Sequence, residues 1–150
     1  MASFDPKDPD FEARVRTSFA RQTAMATLGI EITGLTAGEV ELRMPYAAAY
    51  TQHGFMHAGI ITTALDSACG YAAFSLMPAD AAVLTVEFKT NLIAPARGDY
   101  FLFRARVVKP GRTITVCDAQ AFAVEGGKEK LVATMTGTLM ALFGREDVAQ

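Results

Sequence analysis

The residues best placed to do chemistry lie in one stretch, His57 to Met77, which reads HAGIITTALDSACGYAAFSLM. At helical spacing, Ala58, Ile61, Leu65, Ala68, Ala72 and Leu76 share one side. Gly59, Thr62, Thr63, Asp66, Gly70 and Ala73 share the other, and nearly all are small. Neither side suits water, so the spacing predicts a helix buried around most of its circumference. Asp66 falls in its middle. A carboxylate there costs on the order of several kcal/mol unless it is paired, solvated or used. The helix start at His57, Ala58 and Gly59 offers unpaired backbone N–H groups and the positive end of the dipole. Such a start can hold a phosphate or a developing oxyanion. Asp66 lies about 12 Å beyond Ala58 at the usual helical rise. One helix therefore cannot easily aim its own carboxylate at an oxygen bound to its own tip. Two antiparallel helices related by a two-fold axis can.

The elements that must hold this helix follow from the rest of the chain. After a polar, proline-broken lead (DPKDPD), Asp10 is placed to cap a helix running to about Leu28, with Phe11, Val15 and Phe19 on one stripe and Gly29 as its stop. Ile30 to Gly34 and Glu39 to Met44 read as a two-stranded hairpin closed by Pro45, and Tyr46 to Met56 as a loop. Pro78 ends the long helix. From Ala82 the period becomes two: Leu84, Val86, Phe88, Thr90 and Leu92 fall on one face, and Thr85, Glu87, Lys89 and Asn91 on the other. Three more strands follow, separated by a PGR turn and by Glu125-Gly126-Gly127-Lys128. The order of helix, two strands, long helix and four strands predicts an α+β domain. In it a sheet of about six mostly antiparallel strands wraps one central helix. The domain covers residues 1–150, with its core at about 28–143. The helix has one more buriable face than the sheet can cover, which predicts a homodimer.

The totals exclude several classes. The 150 residues are 51% hydrophobic with a net charge of −2. Six basic residues between Phe88 and Arg112 (Lys89, Arg97, Arg104, Arg106, Lys109, Arg112) face one acidic residue, Asp99. That cluster is too short, and too poor in interleaved aromatics, for a nucleic-acid binder. It could still meet a phosphate-bearing ligand. Cys69 and Cys117 lie on core elements without metal-ligand spacing, so no metal is expected, and both read as buried thiols in a reducing compartment. The N-terminus has no h-region, and Asp66 with the glycines argues against a membrane span. A cytoplasmic location is the expectation.

The run QHGFMHAGIITTALDSACGYAAF, with VLTVEFKTNLIAPA following, resembles the hotdog-fold acyl-CoA thioesterases of the phenylacetate-degradation (PaaI-type) group. That family's pattern is His-Gly-Gly, six residues, then Asp, followed by a strand ending in a Pro-small pair. His57, Gly59 and Asp66 fit in register, and Ala58 stands where the first glycine would be. The resemblance, over roughly residues 11 to 142, implies a hotdog fold and hydrolysis of an acyl-CoA. The Ala58 N–H would polarise the thioester carbonyl, and Asp66 of the neighbouring subunit would be nucleophile or general base. A backbone donor tolerates the Ala58 methyl if the dihedrals stay helical. Thr85 falls beside the attacking water, Gln52 takes an assisting role, and His57 and Gly59 belong to the same helix start. Lys89, Asn91 and Arg97 are the substrate-binding candidates. No cofactor is implied beyond the coenzyme A of the substrate, and family members are often dimers of dimers. A non-catalytic acyl-CoA-binding domain is the alternative. A hotdog hydratase or dehydratase is disfavoured, because the helix carries no His after His57.

Overall fold

The computed structural model describes residues 3–150. Two short helices, α1 (Phe11–Arg21) and α2 (Thr23–Leu28), lead into β1 (Glu31–Thr36) and β2 (Glu39–Pro45). A single 3-10 turn (Ala48–Tyr50) and a small hairpin, β3 (Thr51–Gln52) with β4 (Phe55–Met56), precede the central helix α3 (Ala58–Phe74). Then come β5 (Ala82–Leu92), β6 (Tyr100–Lys109), β7 (Ile114–Glu125) and β8 (Lys128–Leu142). The large sheet runs β1-β2-β6-β7-β8-β5, with every neighbouring pair antiparallel. This is the hotdog architecture: one sheet curled around one helix.

The apolar stripe of α3 meets the sheet as the spacing requires, with Ile61, Leu65, Ala68 and Ala72 buried. Opposite them on the sheet lie Leu42, Met44, Phe101, Phe103, Met135 and Leu139, all buried. The small-residue side is only partly covered. Thr62, Thr63, Asp66 and Gly70 are half-buried, and a Cβ built on Gly70 would meet open space. No helix among the described residues is long and apolar enough to cross a membrane. Cys69 and Cys117 are free and buried. Loss of water drives both thiols up in pKa, Cys117 to about 12.

Three local expectations need correction. The N-terminal helix does not run unbroken to Leu28: Gln22 adopts an extended conformation between α1 and α2. Its side-chain amide there donates to the Tyr71 hydroxyl on α3 at 2.6 Å, a tertiary bond that outweighs one more helical turn. Asp10 occupies the N-cap position without a side-chain cap bond. Asp8 acts instead: its carboxylate accepts the Asp10 N–H at 2.9 Å and lies 2.8 Å from Nε of Arg14. Arg14 in turn donates to the carbonyls of Phe74 (3.2 Å), Met77 (2.7 Å) and Pro78 (3.0 Å), closing the C-terminal end of α3.

The third correction concerns β5. Its register with β8 shifts between Thr85 and Glu87, leaving Val86 as an extra, unpaired residue. Directly opposed residues of an antiparallel pair share a face. Thr85 opposes Leu139 and Phe88 opposes Gly137, and both partners are buried beneath α3. The helix side of β5 therefore carries Thr85, Phe88, Thr90 and Leu92, while Leu84, Glu87, Lys89 and Asn91 look outward. The simple alternation read from the sequence holds on each side of Val86 but not across it. As an edge strand with no neighbour beyond it, β5 leaves Val86 53% and Phe88 43% exposed.

Candidate active site

The site begins where the chain enters α3. The Met56 N–H donates to the Ala96 carbonyl and the His57 N–H to the Tyr50 carbonyl, both at 2.9 Å. The hairpin before it turns on His53 (φ 55°) and Gly54 (φ 83°), with Gln52 opposite Phe55. Two central residues at positive φ make the tight turn whose twist suits a two-residue hairpin. This folded element replaces the plain loop expected over Tyr46 to Met56.

His57 is the N-cap of α3. Its backbone is non-helical (φ −56°, ψ 138°), and its Nδ1 accepts the Gly59 N–H at 2.9 Å. The N–H groups of Ile60 and Ile61 both go to the His57 carbonyl, at 2.9 and 3.2 Å. Ala58 alone in this first turn donates its N–H to no acceptor among the described residues. Gly59, expected to share in binding an oxyanion, has its N–H occupied and is not a free donor.

Beside Ala58 lies a cavity of about 300 Å³, bounded by Gln52, Met56, Ile61, Leu92, Pro95 and Ala133 among others. Its lining is apolar apart from Gln52 and His57. The hydroxyl of the neighbouring Thr51 donates to the Ala48 carbonyl at 2.8 Å. Gln52 is the polar side chain that reaches the cavity. Arg97 follows Ala96 of the lining, with its guanidinium 3.9 Å from where a Cβ on Gly54 would sit.

Two turns along α3, Asp66 Oδ1 accepts the Thr85 hydroxyl at 2.8 Å. Oδ2 has no partner among the described residues, so the carboxylate is not locked within its own chain. Burial raises its pKa above the usual carboxylate range, and the Thr85 hydrogen bond opposes part of that rise. A half-desolvated carboxylate with one free oxygen, on the same partly covered helix side as Gly70, is equipped to attack or to take a proton.

Two predicted substrate contacts lie elsewhere. Lys89 and Asn91 sit on the outer face of β5, and Asn91 Nδ2 donates to Thr134 Oγ1 at 3.1 Å. Both were expected on the face of Thr85; the Val86 bulge turns them from it. The larger concavity, about 800 Å³, is also on the outer sheet face. Its Arg104 is bound to Glu41 and Glu129 at 2.7 Å each, a structural network that offers no reactive group. No set of three or more His, Cys, Asp or Glu side chains among the described residues could hold a metal ion. Sequence reasoning missed the floor of the cavity, where Ala133 of β8 meets Leu92. Only the strand pairing reveals that these residues adjoin the start of α3.

Residues 53–130 match the thioesterase superfamily. A protein of Halobacterium salinarum, provisionally named an esterase, is 32% identical over 124 residues, 79% of this chain and 80% of that one. A solved thioesterase family protein from Silicibacter pomeroyi is 64% identical, with a TM-score of 0.88, over 89% of this chain and 99% of the other. The E. coli PaaI protein of the phenylacetic acid degradation operon shares the fold at 21% identity and a TM-score of 0.81, over 90% of this chain and 95% of that one. The chain belongs to the thioesterase superfamily. Its general chemistry is thioester hydrolysis on a hotdog scaffold.

Proposed function

We propose that the protein hydrolyses acyl-CoA thioesters as a homodimer or a dimer of dimers. The acyl group enters the cavity beside α3, and the carbonyl oxygen accepts the Ala58 N–H with the Gln52 amide assisting. Asp66 comes from the partner subunit, because the separation of about 12 Å along α3 keeps each chain's carboxylate from its own oxyanion donor. Either Asp66 attacks the carbonyl and water then cleaves the acyl-enzyme, or Asp66 takes a proton from water as that water attacks. In both cases the C–S bond breaks, the thiolate takes a proton to leave as free coenzyme A, and the acid is released. Thr85 holds Asp66 in place, and Arg97, next to Ala96 of the lining, is the cation best placed for a coenzyme A phosphate.

The observation that carries this reading is the pairing of opposites on one helix: a single open N–H at its tip and a carboxylate with a free oxygen on its half-covered face. The exposed apolar edge of β5 borders that face and gives a second chain a place to dock. The two free thiols suit the reducing conditions of the cytoplasm. The test is a panel of acetyl-, butyryl-, octanoyl-, phenylacetyl- and succinyl-CoA, scored by a thiol-trapping reagent. Release of thiol from the uncharged members supports the reading. Tight binding of the same compounds with no thiol released would make this an acyl-CoA-binding domain instead.

A further inference from the structure

We propose that His57 and Gly59 act as a pair that aims the Ala58 N–H, His57 as a positioning residue and Gly59 as the platform for its ring. The proposal rests on the thioesterase reading, in which that N–H polarises the carbonyl.

N-caps are usually short side chains, Ser, Thr, Asp or Asn, whose oxygen reaches back to the first turn. Here an imidazole does it. Nδ1 accepts the Gly59 N–H, so the ring proton sits on Nε2. To reach that position the ring must lie directly over the first turn. A Cβ on residue 59 would stand 3.1 Å from Nδ1 and 3.4 Å from Cε1, tight enough that the ring would have to give by a few tenths of an ångström and strain its bond to the Gly59 N–H. Gly59 has no positive φ, so its backbone does not demand glycine. The close approach of the imidazole is what favours it.

The result is a helix tip with one exit for hydrogen bonding. The N–H of Gly59 is consumed by the ring and those of Ile60 and Ile61 by the His57 carbonyl. The Gly59 carbonyl is also held, accepting the Thr63 hydroxyl at 2.8 Å. Upstream, the Tyr50 carbonyl fixes the His57 N–H. Ala58 is thus clamped from both sides. A carbonyl oxygen arriving at this tip meets a donor already held in place, the preorganisation on which oxyanion stabilisation depends.

The experiment is a double-mutant cycle on the full-length protein, with His57→Ala, Gly59→Ala, the double variant and His57→Asn, reading kcat and KM by thiol release. His57→Ala and Gly59→Ala should each lower kcat by at least about 10-fold with KM changed less than about threefold, the pattern of a lost transition-state interaction. The double variant should be no slower than His57→Ala, because the clash at residue 59 needs the ring. In that background the second methyl should raise Tm, since alanine suits a helix better than glycine. His57→Asn restores a cap acceptor and should recover at least about a third of wild-type kcat. Multiplicative losses in the double variant, wild-type kcat in Gly59→Ala, or a His57→Asn protein as slow as His57→Ala would each overturn the proposal. The last would make the imidazole a reactant. Should the wild type release no thiol from any acyl-CoA, the thioesterase reading fails instead. The pairing is then decided by Tm alone, where additive effects at the two positions would refute it.

Discussion

The Thr85 hydroxyl donates a 2.8 Å hydrogen bond to Oδ1 of Asp66, joining the edge strand to the middle of the central helix. It leaves Oδ2 open while fixing the plane of the carboxylate. It also opposes the rise in pKa that burial imposes. Replacing Thr85 with Val removes the bond at nearly constant volume, so the Asp66 pKa should move further up. In the proposed mechanism the ionised form is the active one, so the acid limb of the kcat–pH profile should shift to higher pH. At neutral pH kcat should fall by about 10-fold. An unshifted limb would show that Thr85 does not tune Asp66.

Asp66→Asn should cut thioester hydrolysis by about 10²-fold or more, the scale of a lost acid–base group. The same change should stabilise the fold at neutral pH. The carboxyl's pKa is raised in the folded state, so the folded chain binds this proton more tightly than the unfolded one. Stability from the group is complete below the ordinary carboxylate pKa of about 3.9 and is lost as pH rises through the raised value. Asparagine has no such loss. The Tm of Asp66→Asn should therefore exceed that of wild type at pH 7, with the gap closing toward pH 4. Wild-type turnover in this variant would reject the mechanism.

The exposed edge of β5 offers a separate handle. Val86 is 53% exposed on a strand with no neighbour beyond it. A lysine there opposes edge pairing by charge. Val86→Lys should give a monomer by light scattering that still melts cooperatively and has lost at least about 10² in kcat. An active monomer would mean that Asp66 serves its own chain.

Ala133 tests the cavity. It is 1% exposed and lies opposite Leu92 at the cavity wall. In the wild type each added methylene should raise kcat/KM by about fourfold, from roughly 0.8 kcal/mol of burial, until the space is filled. Ala133→Leu should lower octanoyl-CoA turnover strongly and leave acetyl-CoA within about twofold. An equal loss on both would assign the cavity to the pantetheine arm.

Arg14 holds three carbonyls at the C-terminal end of α3, at the opposite end from the proposed oxyanion donor. Arg14→Met keeps the stem and loses these charge-assisted bonds. It should cost about 3 kcal/mol, or roughly 6–12 °C in Tm. Activity at 25 °C should be retained. A Tm within about 2 °C of wild type would show that solvent satisfies those carbonyls equally well.

The helix from Ala58 to Phe74, its stop before Pro78 and the long antiparallel strands were legible because hydrophobic period and punctuation agree there. Asp66 was legible as a misfit. His57 was legible as a helix-start residue bonding locally, but its ring's bond to the Gly59 N–H was not, since histidine is an uncommon cap. The break at Gln22 depends on a tertiary bond to Tyr71. Lys89 and Asn91 were misplaced for a different reason. The alternation of residue types continues through Val86, but the backbone spends an extra residue there, and composition cannot register it.

That extra residue reaches beyond its own position. Val86 has no cross-strand counterpart, yet it decides which way everything as far as Leu92 looks. A descendant that kept every residue but paired Val86 in a regular ladder would turn the end of the strand inside out. Lys89 and Asn91 would be presented to the helix, and Phe88 to water. An ungapped alignment would then match letters whose side chains point in opposite directions, so motifs in this strand are best compared by pairing partner rather than by column.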